Sequence, residues 1–410
     1  MGGRWKKAAI GDVCSFFKGA SVPRARMYDS GDVYYLHYGD LYKGHELYVD
    51  MERPSKPIPF ISDSERIKES QVARDEDIVY VLTSETVEDL GKALMLRNPR
   101  NYRVVAGTET TIMRVEDTAT VNPAYLNYLI QTDDFKKKLR QYVTGMKVFR
   151  VHPRDISRID VEVPELSVQA KTVALLDSIY DKIALNTRMN GCLEELAKLF
   201  FVCAIDNNKD TVRLSEIASI NPSRKLAKGA AARCIDMARL STTQAFPDGW
   251  FQKPYNGGMR FRNGDTIFAR ISPCLENGKA SFVNYLDEDE VAFGSTEYIV
   301  MCPANDYPAE FFYCLARYQP FIDYATSNMN GSSGRQRVSA QAIGAYELPV
   351  PDAEAIAEFR SVVPCLFSKM LSNSLESAKL AALRDALLPK LMSGEIDVSE
   401  VDVGAALPSS

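Results

Sequence analysis

The chain has 410 residues, 46% of them hydrophobic and 25% charged, and a formal net charge of −5. That length gives room for two cores, and the charge excludes a uniformly basic nucleic-acid coat, so any polyanion contact has to be focused on one face. No apolar run reaches the roughly 18 residues of a membrane-spanning helix, and the start MGGRWKKAAI lacks a signal peptide's apolar run. Lys6 also stands where a myristoylation site needs Ser or Thr. Eight cysteines without a CxxC pair, and only His37, His45 and His152 as imidazoles, argue for a reduced, cytoplasmic chain with no structural metal.

The first globule, 1–164, opens with WKKAAIGDVCSFFKGASV and alternates short β-rich runs such as 77–82 and 110–115 with loops. A helical stretch follows at 122–142. Its start, Asn122-Pro123-Ala124-Tyr125, comes close to the signature with which amino-methyltransferases hold a target amine. It reads better as a helix N-cap followed by proline at the first helical position. The glycine-containing loop 143–151 then carries Gly145, Lys147 and Arg150, preceded by Lys136, Lys137, Lys138 and Arg140. A second loop, 82–92, presents Thr83, Ser84, Glu85 and Thr86 and ends in Gly91-Lys92.

From Ser167 to Cys203 there is no proline and one glycine, which predicts a single long helix over 165–205. Leu176, Ile179, Ile183, Leu193, Leu196 and Phe200 follow a three-four spacing, a seam of the coiled-coil kind. At roughly 1.5 Å per residue such a helix is on the order of 50 Å long and wants a partner of similar length.

The second globule, 206–351, repeats the first. TVRLSEIASINPSRK echoes the opening, 265–270 and 297–302 echo the strands, and 307–325 echoes the helix, with Tyr307 where the first globule has Asn122. Its glycine loop, 330–338, holds Arg335 and Arg337, forked donors suited to phosphate or to guanine O6 and N7. Its other loop, 270–279, carries Arg270, Ser272 and Lys279. Glu276 and Lys279 are one residue too far apart for the E-x-K spacing of a metal-dependent nuclease, so a Gly-Lys turn is the better account.

A second long helix, 352–396, closes the repeat before an acidic tail, 397–410. Adding 187 (373 minus 186) carries Asn186 onto Asn373 and the seam onto Val363, Leu366, Met370, Leu380, Leu383 and Leu387. The same offset relates Gly91-Lys92-Ala93 to Gly278-Lys279-Ala280, Gly107 to Gly294 and Pro164 to Pro351. The expected fold is therefore α+β: two tandem domains joined by two long antiparallel helices forming a coiled coil, with a pseudo-twofold internal repeat. Pairing Asn186 with Asn373 sets Leu176 against Leu383, Ile179 against Leu380, Leu193 against Leu366 and Leu196 against Val363, with the asparagines as a register lock.

The runs 175–201 and 380–396 resemble the two helical regions of the specificity subunit of type I restriction-modification systems, and 293–303 and 331–343 resemble its target-recognition domains. The resemblance implies a non-catalytic reader of double-stranded DNA. Each globule would bind one half of a bipartite site, and the helices would set the spacing and dock two methylation subunits. S-adenosylmethionine, ATP and Mg would belong to the partners, with a restriction subunit as an optional member. The candidate DNA contacts are Lys147, Arg150, Thr83, Ser84 and Lys92 in one globule and Arg335, Arg337, Arg270, Ser272 and Lys279 in the other. The alternative, a self-sufficient DNA-modifying enzyme, is disfavoured by the missing methyltransferase motifs.

Overall fold

The computed structural model describes residues 5–42, 44–205, 210–304, 307–331 and 335–401. Most of the acidic tail, 402–410, lies outside them. Two compact units are present, Met1–Asp181 with Ala381–Ser410, and Lys182–Leu380. The two long helices, Leu166–Ile205 and Ala353–Met392, each give one end to each unit. The second helix runs on through Pro364 and Pro389.

Each unit is built on the same pair of sheets. In the first unit one sheet has the order Cys14–Lys18, Thr110–Val115, Ile78–Val81, Ala93–Arg97, Tyr48–Asp50. The second unit repeats four of those strands as Ala218–Ile220, Tyr298–Pro303, Thr266–Ala269 and Ala280–Phe282. The other sheet contains a parallel pair in both units: Val33–Leu36 beside Arg103–Ala106, and Ala231–Ile235 beside Ala292–Gly294. This parallel pair explains the repeated glycines. A Cβ on Gly107 would sit 2.5 Å from the Leu36 carbonyl oxygen, and one on Gly294 would sit 2.4 Å from that of Ile235. Only glycine lets the backbones approach so closely.

Tyrosines and phenylalanines fill the cores. In the first unit Tyr80, Tyr125, Leu126 and Tyr128 share a cluster with Leu176 of the first helix and with Leu391 and Met392 of the second. In the second unit Phe311 and Phe312 pack with Phe201 of the first helix and with Phe359, Val363 and Phe367 of the second. Each such ring contributes about 1.5–3 kcal/mol when fully buried.

Within the second unit the helices run antiparallel, since Lys182, Asn186 and Asn190 meet Glu376, Asn373 and Met370 in that order. Leu176, Ile179, Asn186, Met370 and Asn373 are buried, and Ile183, Leu193, Leu366 and Leu380 are half-buried. Leu196 and Leu383 depart from the expected seam: they are 41% and 47% exposed, while Ala197, Phe201 and Phe367 are buried. The cause is the three-four alternation itself. Asn190 is a seam position four residues after Asn186, so the next inward steps fall on Leu193, Ala197 and Phe201. A small alanine then lets the backbone approach the core, where a larger leucine one residue earlier had suggested the seam.

Asn186 Nδ2 donates to Glu376 Oε2 at 2.8 Å and to Ser377 Oγ at 3.2 Å, and Asn373 Nδ2 donates to Asn190 Oδ1 at 2.9 Å. The polar layer therefore joins five residues, Asn186, Asn190, Asn373, Glu376 and Ser377, and Asn186 and Asn373 do not simply face each other. Among the described residues no helix is long and apolar enough to cross a membrane.

Candidate nucleic-acid interface

In the first unit the glycine loop is a hairpin. Thr144 and Arg150 exchange backbone hydrogen bonds of 2.9 and 2.8 Å. Gly145, at φ +101°, is required there, because a Cβ would lie 2.1 Å from the Val148 carbonyl oxygen. Met146 is 93% exposed at the tip beside exposed Lys147. One edge of the hairpin, Phe149–Arg150, pairs antiparallel with Thr83–Ser84. The second unit repeats this construction. Asn330 and Arg337 exchange bonds of 3.0 and 2.9 Å, Arg337 bridges to Ile271, and the Ser272 amide donates to the Gln336 carbonyl. Residues 332–334 of this loop lie outside the described residues. In both units, then, the two loops singled out from sequence are stitched into one surface.

The candidate side chains divide by what they touch. Lys147 and Arg335 are exposed, and no carboxylate pairs with either among the described residues. Arg337 is committed: its Nε and Nη2 donate to the Glu297 carboxylate at 2.8–3.0 Å, and its Nη1 donates to the Arg335 carbonyl at 3.1 Å. These bonds hold the Glu297 carboxyl below the ordinary glutamate range. Arg150 makes the matching but looser contact with Glu109, at 3.6 Å. Both glutamates also anchor the other loop by backbone bonds, from the Leu82 amide to the Glu109 carbonyl and from the Arg270 amide to the Glu297 carbonyl.

Other candidates are turned to structural work. The Lys92 ammonium donates to the Glu46 carbonyl at 2.9 Å, and that of Lys279 to the Met237 carbonyl at 2.8 Å. Both ammonium groups therefore tie down loops instead of standing free at the tips, and burial pushes the Lys92 pKa down. Thr83 is buried, its carbonyl accepting from the Tyr42 hydroxyl. Ser84 and Ser272 are half-buried: Ser84 Oγ accepts from the Thr86 amide, and Ser272 Oγ donates to Glu276 at 2.6 Å. Arg270 is half-buried, with its Nε buried and unpartnered. Asn122 is a helix cap, its side-chain oxygen accepting from the Tyr125 amide at 3.0 Å.

Sequence reasoning missed Glu109 and Glu297. The signal is present in Thr108-Glu109 and Thr296-Glu297, each shortly after the repeated glycine. The second turn is one residue longer, so the constant offset set Glu109 against Thr296 and hid the correspondence.

It also missed how each unit grips the first long helix. In the first unit Asp177 Oδ1 accepts from the Tyr48 and Tyr128 hydroxyls at 2.5 and 2.7 Å, and Oδ2 accepts from Arg97 at 3.0 Å. In the second, buried Glu194 accepts from the Tyr313 hydroxyl at 2.8 Å and pairs with Lys198 at 3.2 Å. Burial raises all three phenols above their ordinary value, so they act as donors to the carboxylates.

The family described as the type I restriction modification DNA specificity domain matches residues 3–195. The chain is 22% identical to the specificity subunit of the type I restriction enzyme HindI of Haemophilus influenzae, over 96% of this chain and 99% of that one. It is also 22% identical to the specificity subunit of the type I restriction enzyme MjaIX of Methanocaldococcus jannaschii, over 96% and 93%. In fold it is similar to the S subunit of a type I restriction-modification system from M. genitalium, with a TM-score of 0.58 at 12% identity, covering 95% of this chain and 96% of that one. The family match spans the first globule and most of the first long helix, and the likeness to the two specificity subunits and to the solved S subunit extends over nearly the whole chain, so the chain resembles type I restriction-modification specificity subunits from end to end.

Proposed function

We propose that this chain is the DNA-recognition subunit of a type I restriction-modification complex, working in the cytoplasm. Each unit reads one half of a bipartite site in double-stranded DNA. The long helices set the spacing and dock two methylation subunits, with restriction subunits as further members. The observation that carries the reading is the twinned surface, in which two loops of each unit are stitched together beside exposed basic side chains. Two copies of one reading surface, differing in their side chains, suit two different short sequences.

On this reading the chain supplies specificity and no chemistry, and S-adenosylmethionine, ATP and Mg are bound by partners. The test is to assay the purified chain with and without two equivalents of a methylation subunit, and then to sequence the methylated positions. Methylation at one bipartite motif, only in the mixture, is the expected result. Turnover of S-adenosylmethionine by the chain alone overturns the reading in favour of a self-sufficient modifying enzyme. Four residues inserted in each long helix lengthen it by about 6 Å, close to two base pairs. Unchanged half-sites with a longer gap support the spacing role, and full activity at the original gap refutes it.

A further inference from the structure

We propose that Arg337 reads a guanine, with Glu297 as its positioning residue, and that Arg150 and Glu109 form the equivalent reader in the first unit. This rests on the DNA-recognition reading and assigns a base contact within it.

The argument starts from the donors. A guanidinium has five N–H groups. In Arg337 the Nε and one Nη2 hydrogen go to Glu297, and one Nη1 hydrogen goes to the Arg335 carbonyl. One hydrogen on Nη1 and one on Nη2 are left. The carboxylate fixes the plane of the group, so those two donors are held in a set direction before any ligand arrives. Guanine offers O6 and N7 as neighbouring acceptors in the major groove, the pairing that an arginine fork matches.

A phosphate would also accept two hydrogens, and charge decides between the two. Within the pair the Glu297 carboxylate offsets the Arg337 charge and would stand near phosphate oxygens, so backbone contact by Arg337 gains little from counterion release, while the cation left over in the cluster is the neighbouring Arg270, whose charge also acts on Glu297. Directional donors without net positive charge suit a base edge. Arg335, two residues away, and Lys147, three residues before Arg150, are exposed and lack carboxylate partners among the described residues. They suit the backbone. The surface thus divides its labour: unpaired cations position, and the buttressed arginines specify. Recurrence of the arrangement at equivalent places in both units, at hydrogen-bonding distance for Glu297 and at 3.6 Å for Glu109, argues against an incidental surface ion pair.

The experiment uses the full chain assembled with its methylation subunits, base-by-base substitution of the recognised site, and a salt titration of binding. Arg337→Ala is expected to lose discrimination at a single G·C pair of one half-site by roughly 5- to 150-fold, leaving the salt slope unchanged. Glu297→Gln should relax the same position to a smaller degree. Arg335→Ala should do the opposite, with an unchanged motif, weaker binding at every sequence and a slope reduced by about one unit. Where Arg337→Ala fails to fold, Arg337→Lys decides: it keeps the charge but cannot present the fork, so relaxation of that one position supports the assignment. A motif left intact with a reduced salt slope would make Arg337 a phosphate contact, and an intact motif with unchanged affinity would make the pair a loop latch. Either result overturns the proposal. If the wild-type assembly recognised no bipartite motif, the recognition reading itself would fall, which is a separate outcome.

Discussion

Removing the Asp177 carboxylate tests how the first globule is fastened to its helix. Tyr48 and Tyr128 are each about 1% exposed, and both donate to Asp177 Oδ1, so Asp177→Ala strands two buried hydroxyls. A hydrogen bond to a charged acceptor is worth about 1.5–3 kcal/mol, so losing both costs the first unit about 3–6 kcal/mol. Arg97 is spared, because it keeps Asp181 at 2.9 Å. Asp177→Asn retains one acceptor oxygen and should cost about half as much. The exposed Asp181 supplies the control, since Asp181→Asn removes a surface ion pair worth less than about 1 kcal/mol. The chain has only two tryptophans, Trp5 and Trp250, so a Trp250→Phe background leaves Trp5 as a reporter in the first unit. Urea unfolding followed by Trp5 fluorescence gives the stability, with hydrogen exchange in the second unit as the internal reference. A shift from Asp177→Ala no larger than that from Asp181→Asn, or loosening confined to the second unit, would refute the reasoning.

Replacing Asn186 and Asn373 together by leucine removes the unpartnered Asn186 Oδ1 but takes the donor from the half-buried Asn190 Oδ1, so the two effects offset and stability should change by less than about 2 kcal/mol. Register should suffer instead: cysteines at Lys182 and Glu376, whose long side chains meet tip to tip at 3.2 Å, should be joined by a short bismaleimide reagent and should lose that exclusive cross-link once slipped pairings are allowed. Glu297 has its carboxyl held below the ordinary range by Arg337, so the contribution is present above that range and is lost as the pH falls through the depressed value. Exchange protection across 335–343 should therefore drop in acid, and Glu297→Gln should abolish that pH dependence. Among the thiols, exposed Cys192, Cys203 and Cys365 should react rapidly with a disulfide reagent. Cys314 and Cys14 should be silent until unfolding, being buried, with the Cys14 pKa pushed up to about 12. Rapid modification of either would contradict the packing.

The long helices were legible because the signal is local: a seam repeated over forty residues and no breaker in the first of them. The seam's drift from Leu196 to Ala197 was not legible, since the deciding residue is a polar Asn190 with partners in the distant segment 370–374. The sheets were visible as strands, but the parallel pairs were not. Val33–Leu36 meets Arg103–Ala106 across a separation that no local pattern encodes. Lys92 and Lys279 misled for a related reason. A lysine beside a turn glycine reads as a free charge, and only the fold reveals the carbonyl that each ammonium reaches. The twin glutamates were lost to one extra residue in a turn. A fixed offset is strict where two folds need only be similar.

The first unit is discontinuous in sequence, and this bears on how the protein is made. Its core includes Leu391, Met392 and Val398, Lys171 reaches the Ser399 carbonyl, and the Trp5 ring lies against Gly394. The second unit ends at Leu380. A nascent chain leaving the ribosome amino terminus first therefore closes its second globule while the first still waits, apolar surface uncovered, for its last twenty-one described residues, 381–401. A message truncated near its end would yield a sound second globule attached to an unsealed first one, and proteases would find the amino-terminal half, the part synthesised earliest.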